Sequence, residues 1–180
     1  MNNVTTNLGE CIKNDIIVHE DSVSTKKEYS TLPKEAHKFI GEWNQVSTDG
    51  YDLFLKEVMN LSWMTRKIAL HIKPKSTWYI EDEKLYCKIK LVGLKTIVEQ
   101  YGSESLEFYE NDENINNVTW HMKVFWDPQK PGVLCTDKCC PEYNKGRKIE
   151  VRRWVDASCL YISHTWAPGK IFTQKCVKDL

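Results

Sequence analysis

Residues 39–74 read Phe-Ile-Gly-Glu-Trp-Asn-Gln-Val-Ser-Thr-Asp-Gly-Tyr-Asp-Leu-Phe-Leu-Lys-Glu-Val-Met-Asn-Leu-Ser-Trp-Met-Thr-Arg-Lys-Ile-Ala-Leu-His-Ile-Lys-Pro, and they decide the fold. Phe39 to Val46 suits a first strand, with Gly41 allowing a close backbone approach. Asp49-Gly50 stops that strand. Tyr51, Phe54, Leu55 and Val58 then recur at helical spacing and predict a short amphipathic helix. Asn60 breaks it. Ser62 is placed to cap a second helix carrying Trp63, Met64, Ile68 and Ala69. Pro74 lies just beyond the point where that helix has to end.

After Pro74 the hydrophobic period changes from helical to two. Leu85, Cys87, Ile89 and Leu91 alternate with Tyr86, Lys88 and Lys90. Val118, Trp120, Met122, Val124 and Trp126 alternate with mostly polar neighbours. Ile149, Val151 and Val155 share a face, as do Leu160 and Ile162. Turn signals separate the runs: Glu81-Asp82-Glu83, Gly93, Gly102-Ser103, Pro131-Gly132, Asp156-Ala157-Ser158 and Pro168-Gly169. Many short strands joined by tight turns predict an antiparallel meander, interrupted once by the helix pair. Such a sheet removes its edges by closing into a barrel.

The composition adds limits. The chain has 180 residues, with Lys+Arg and Asp+Glu at 25 each, so its formal net charge is zero. A global basic excess for nucleic acid is absent, and any electrostatic function has to come from a local patch. The first residues lack the basic start and apolar run of a signal peptide. Nothing approaches the roughly 20 apolar residues of a membrane span. The seven cysteines are odd in number and scattered, which argues against a complete disulfide framework and for a reduced, intracellular setting. Asn60-Leu61-Ser62 and Asn117-Val118-Thr119 match the glycosylation acceptor pattern, which carries no meaning in such a setting. Residues 1–34 have weak periodicity and many Asn, Thr, Ser and charged residues. They read as a flexible extension ahead of a single domain over 35–180.

Phe39-Ile40-Gly41-Glu42-Trp43 resembles the F-x-G-x-W opening of the intracellular lipid-binding proteins, the fatty-acid-binding-protein family of the calycin superfamily. Tyr51 to Val58 resembles that family's first helix. Thr65-Arg66-Lys67 and Lys73-Pro74 resemble its T-R-K and K-P signatures. The resemblance covers about 39 to 178. It implies an all-β fold: ten antiparallel strands in an up-and-down β-barrel, or clam, with a helix–turn–helix lid after the first strand. It also implies binding and transport of a long-chain fatty acid or similar lipid, with no catalysis, no cofactor and a monomeric state. The chain departs from the family in its N-terminal extension, in a longer segment from Pro128 to Gly146, and in its last strand. There Lys175-Cys176-Val177 stands where R-x-Y is usual.

A lipid carrier needs an apolar pocket and a few polar groups for the head. In Ile149-Glu150-Val151-Arg152-Arg153-Trp154-Val155, Arg153 falls on the apolar face and Arg152 on the other. An arginine in an apolar cavity is costly without a partner, and a fatty-acid carboxylate can supply one. A protein carboxylate can do the same. Aligned without a gap, Arg153 takes the place of the family's internal arginine; shifted by one residue, Arg152 does. In the last strand Lys175 takes the place of the second carboxylate-binding arginine, and Val177 that of the hydrogen-bonding tyrosine. A lysine there offers a point charge instead of a planar fork, so the head site is altered and an alcohol or retinoid head is an alternative. His164 shares the Leu160–Ile162 face. Tyr51, Phe54, Leu55 and Ile68 on the lid, with Leu94 near the turn expected to face them, are candidate portal contacts.

Lys56, Arg66, Lys67, Lys73 and Lys75 cluster around the two helices. The resemblance implies that this lid meets anionic membranes, and that Lys56, Arg66 and Lys67 together serve a nuclear import receptor. Other classes have weaker support. His37, His121 and His164 accompany several cysteines without the spacing of a triad, so an acyl-ester enzyme is disfavoured. Cys135-Thr136-Asp137-Lys138-Cys139-Cys140 is dense in thiols but lacks the paired spacing of a closed zinc site, and reads as a reduced surface loop. An extracellular carrier is disfavoured by the start of the chain.

Overall fold

The computed structural model of the protein describes residues 31–90, 96–112 and 118–179. Ten strands form one antiparallel sheet: Gly41–Asp49 (β1), Lys75–Glu81 (β2), Lys84–Lys90 (β3), Ile97–Tyr101 (β4), Leu106–Asp112 (β5), Val118–Trp126 (β6), Leu134–Cys139 (β7), Ile149–Asp156 (β8), Cys159–Ala167 (β9) and Lys170–Lys178 (β10). Their order is β4-β3-β2-β1-β10-β9-β8-β7-β6-β5. Every strand therefore pairs with its sequence neighbour, except that β1 joins β10 and the β4–β5 seam carries no ladder. The sheet curls so that β4 and β5 come to face one another across shared cavities. This is the clam-like barrel expected from the period-two runs.

Alternation sets what lies inside. In β8, Ile149, Val151 and Arg153 are buried while Glu150, Arg152 and Trp154 are not. In β6, Trp120, Met122 and Val124 are buried, and in β3, Leu85 and Cys87. One apolar cluster gathers Phe39, Trp43, Trp78, Leu85, Tyr101, Leu134 and Leu160 at one end. A second gathers Phe54, Val58, Trp120, Ile149, Trp166 and Phe172 at the other. Each fully buried large side chain contributes roughly 1.5–3 kcal/mol.

The helices Tyr51–Glu57 (α1) and Trp63–Ala69 (α2) cover the second end. α1 starts at Gly50, whose φ of +74° is left-handed and whose hydrogen faces the Ile171 carbonyl so closely that a Cβ would stand 2.4 Å from its oxygen. α1 buries Phe54 and Leu55 against β10. Ser62 caps α2, its Oγ accepting from the Thr65 N–H at 3.3 Å. α2 buries none of its residues: Trp63, Met64 and Ile68 are 64%, 68% and 63% exposed.

Two features were not read from the sequence. Lys34–Phe39 forms a 3₁₀ helix that closes the first end, with Ala36 and Phe39 fully buried and the Trp43 indole N–H donating to the Phe39 carbonyl at 2.7 Å. Its apolar signal is only a pair three residues apart, too short to read as an element. The remainder of the expected extension, residues 1–30, lies outside the described residues. Cys135 to Cys140 is also no surface loop. It is mostly strand β7, and Cys135 and Cys140 are fully buried. The strand was hidden because its inward members after Leu134 are Thr136 and Lys138, which break the apolar alternation. Beyond it, buried Asn144 at φ +48° ties the connection to β9 by donating to the Trp166 carbonyl at 3.1 Å.

Candidate functional site: the barrel interior

Between the two apolar clusters lies a cavity of about 240 Å³, reached by side chains of nearly every wall. Trp78, Cys87, Ile89, Ile97 and Ile162 supply its apolar lining. Arg153, Glu99, Lys138, His164 and Gln174 supply its polar groups. Two further spaces of about 280 and 240 Å³ adjoin it at the β4–β5 seam, sharing Glu99 with it. Pocket space on this scale suits a small ligand.

Arg153 is 7% exposed. Its Nη1 donates to Thr136 Oγ1 at 2.8 Å and its Nη2 to Glu99 Oε2 at 3.3 Å. The Tyr101 hydroxyl donates to the same Glu99 oxygen, and the guanidinium stands 5.5 Å from the Tyr101 ring centroid. Burial works against the charge on Arg153, but Tyr101 and Glu99 more than compensate and hold its pKa above the ordinary value. Burial also drives the Tyr101 phenol well up, with Arg153 opposing.

Lys138 is the second cation of the interior. Its Nζ lies 4.9 Å from the centre of the Trp120 ring. Burial lowers its pKa, opposed by Glu99 and reinforced by Arg153. Glu110, which lines the seam, is raised by burial first and then by Glu99 and Asp112. His164 stacks on Phe172 at 5.0 Å, and its buried Nδ1 has no hydrogen-bond partner. Burial, then Lys138 and Arg153, hold it well below the ordinary imidazole value, so it is neutral.

The sequence-predicted residues separate by face. Arg153 and His164 line the cavity with Tyr51. Tyr51 stacks on Phe172 at 4.6 Å, and Phe54 meets Trp166 edge-on at 5.4 Å, with Leu55 buried beside them. Arg152 points outward, bonded to Asp137 at 2.8 Å and Glu150 at 3.4 Å, over the Phe125 ring. Ile68 is on the outside of the lid and does not contact the cavity. Leu94 lies outside the described residues.

Lys175 and Val177 require a correction. β10 turns Phe172, Gln174 and Cys176 inward, and Phe172 and Cys176 are buried. Lys175 stands outside, 6.0 Å from the Tyr161 ring, so the interior positions belong to Gln174 and Cys176. The face carrying Ile171, Thr173 and Val177 looked apolar in sequence, but Ile171 is 53% exposed. Burial raises the Cys176 thiol to about 11, so it is a neutral, apolar contact.

Sequence reasoning did not reach Glu99, Thr136, Lys138 and Gln174. Extending the alternation from Leu134 through Thr136 would have turned Lys138 inward. Ile97, Glu99 and Tyr101 share a face in the same way. Among the described residues no group of three or more His, Cys, Asp or Glu side chains is placed to hold a metal ion.

The basic side chains around the lid are unequal. Arg66 donates to Asp52 at 2.9 Å and to the Leu61 carbonyl at 3.1 Å. Lys75 is held by Glu42 at 2.7 Å and Asp179 at 2.5 Å. Lys56, Lys67 and Lys73 are exposed. Among the described residues no helix is long and apolar enough to cross a membrane.

No family model matches the chain. A curated relative does: fatty acid-binding protein homolog 7 of Caenorhabditis elegans, 27% identical over 135 residues, which span 64% of this chain and 93% of the relative. Solved structures share the architecture. Apo C. elegans lipid binding protein 8 matches with a TM-score of 0.64 at 15% identity, over 79% of this chain and 96% of its own. The Schistosoma mansoni fatty acid binding protein in complex with arachidonic acid matches with a TM-score of 0.64 at 16% identity, over 81% and 99%. Human cRBP IV matches with a TM-score of 0.58 at 21% identity, over 78% and 97%. The clam-like barrel with a helix pair after the first strand is thus the fold of these lipid-binding structures, and the sequence is similar to that of a fatty acid-binding protein homolog.

Proposed function

We propose that the protein binds one long-chain fatty acid, or a lipid of similar size, inside the barrel and carries it through the cytoplasm. The observation that carries this reading is the interior cavity, apolar along much of its wall and furnished with Arg153, Lys138 and Gln174. Burial of the chain drives binding at about 0.8 kcal/mol per CH₂. The polar groups then orient the head. Displacement of a fluorescent fatty acid by unlabelled lipids at micromolar concentration tests it, and no displacement by any lipid would end it.

A second reading is supported by the pairing of Arg153 with Glu99, and by the presence of Gln174 and Cys176 at the interior positions of β10. A paired arginine and an amide suit an alcohol or amide head, such as that of a retinoid, as well as a carboxylate. A retinol analogue displacing the probe better than oleate would favour it.

The lid offers a route for delivery. Trp63, Met64 and Ile68 project from α2 beside Lys67. An apolar knob with a basic rim fits the surface of an anionic membrane. Lys56, Arg66 and Lys67 are the proposed contacts of a nuclear import receptor. Nuclear accumulation equal to passive entry, in cells given lipid, would remove that role and leave the carrier intact.

A further inference from the structure

The imidazole of His164 carries a buried nitrogen, Nδ1, that nothing among the described residues bonds. The ring stacks on Phe172 of β10, centroids 5.0 Å apart and planes 20° from parallel, and Phe54 of α1 lies 5.5 Å away. A buried polar atom without a partner costs free energy that a phenylalanine in the same aromatic setting would not. Packing alone therefore does not account for a histidine here.

The ring also lines the lipid cavity, set back from the head groups in a definite direction. Ile162 of β9 is in register with Arg153 of β8, and His164 with Val151. Trp166, two residues further along β9, donates its indole N–H to Glu57 of α1 at 3.1 Å. Ile162, His164 and Trp166 thus climb from the level of Arg153 to the lid. Two strand residues span roughly 7 Å. A lipid with its head at Arg153 and its tail toward the lid passes His164 a few carbons along its chain.

Burial, with Lys138 and Arg153 nearby, keeps the ring neutral. A neutral imidazole offers one N–H and one lone pair. Between two aromatic faces such a ring suits an uncharged oxygen better than a second anion. A hydroxyl on a lipid chain has the matching deficit, since hydrocarbon walls give it no partner.

We infer that His164 recognises a second, uncharged oxygen on the chain of the lipid, and that the cargo class is the chain-hydroxylated fatty acids. This rests on the lipid-carrier reading and narrows it. The hydroxyl and the ring share one hydrogen bond, and no covalent bond changes. An acid without that oxygen leaves the imidazole unpaired, so the site discriminates against it.

The test displaces a fluorescent fatty acid from the full chain with stearate and with monohydroxystearates whose hydroxyl moves from the third carbon to the twelfth. In the half of the chain nearer the carboxyl, one position or two adjacent ones should displace the probe about fivefold better than stearate, the worth of one neutral hydrogen bond. His164→Phe keeps an aromatic ring against Phe172 and Phe54, and should erase that preference so that the hydroxy acid and stearate bind alike. Thermal melting establishes that the variant is folded. In the wild type, nitrogen-15 signals of the imidazole should shift with the preferred hydroxy acid and far less with stearate, a readout that needs no variant. Equal affinities across the series would mean that solvent alone satisfies the ring. That result, or a preference that survives intact in folded His164→Phe, would overturn the assignment and leave the carrier in place. No displacement by any lipid would end the carrier reading itself, and this one with it.

Discussion

Glu99 meets Arg153 across the barrel interior, Oε2 to Nη2 at 3.3 Å, and so gives the buried guanidinium a protein counter-charge before any ligand arrives. Removing one partner of a buried pair leaves the other uncompensated, while an incoming carboxylate has to compete with the partner already present.

Glu99→Gln is accordingly expected to tighten fatty-acid binding, and Arg153→Leu to weaken it by roughly 1.5–3 kcal/mol, the worth of hydrogen bonds to a charged group. Arg152→Leu, on the outer face, should change affinity little. Titration with a fluorescent fatty acid measures all of these. Arg152→Leu and Arg153→Leu having equal effects would refute the face assignment of β8.

Lys138→Met separates the two readings of the head. Lys138 brings a cation to the cavity wall beside Trp120. If the natural head is a carboxylate, the variant should lose affinity for oleate and keep affinity for the matching alcohol. Equal affinities for both, in wild type and variant alike, would assign the head to neutral groups.

His164 sets a pH dependence. Its folded pKa lies well below the ordinary 6.5. Below 6.5 the unfolded chain binds a proton there that the folded chain does not, so stability is full above that pH and falls as pH drops through the window beneath it. The slope is at most about 1.4 kcal/mol per pH unit. His164→Phe should flatten the stability profile below 6.5 relative to wild type in urea melts at several pH values. Parallel profiles would show that His164 protonates freely in the fold.

Much of this arrangement was legible in sequence. Phe39 to Pro74 specifies a strand and two helices because its periods change cleanly at Gly50, Asn60 and Pro74. Ile149 to Val155 turns Arg153 inward because it stands in step with Ile149, Val151 and Val155. The head site was harder to read. Thr136 and Lys138 are polar residues at inward positions, so the rule that polar faces water fails where polar side chains line the interior. β10 shows the opposite error, since Ile171 and Val177 made the outer face look like the core.

Gly50→Ala should cost about 1–3 kcal/mol, because a side chain there is strained at positive φ and meets the Ile171 carbonyl. A melting temperature within a degree of wild type would contradict that geometry.

Replacing Trp63, Met64 and Ile68 together by Ala should slow ligand transfer to anionic vesicles without altering affinity, since none is buried. Added salt should slow the wild type as well, because each basic side chain near such a surface contributes about 1 kcal/mol through screened attraction. Transfer insensitive to vesicle concentration would mean release into water instead.

The unladdered seam between β4 and β5 makes the barrel a hinged vessel with a slit wall. Among the described residues no ladder joins β4 to β5, so parting them there need not break one. Glu99 and Glu110 stand on its two lips, Glu99 paired with Arg153 and Lys138 lining the same space. A charged cargo and an uncharged one would thus meet different chemistry at the slit and at the lid.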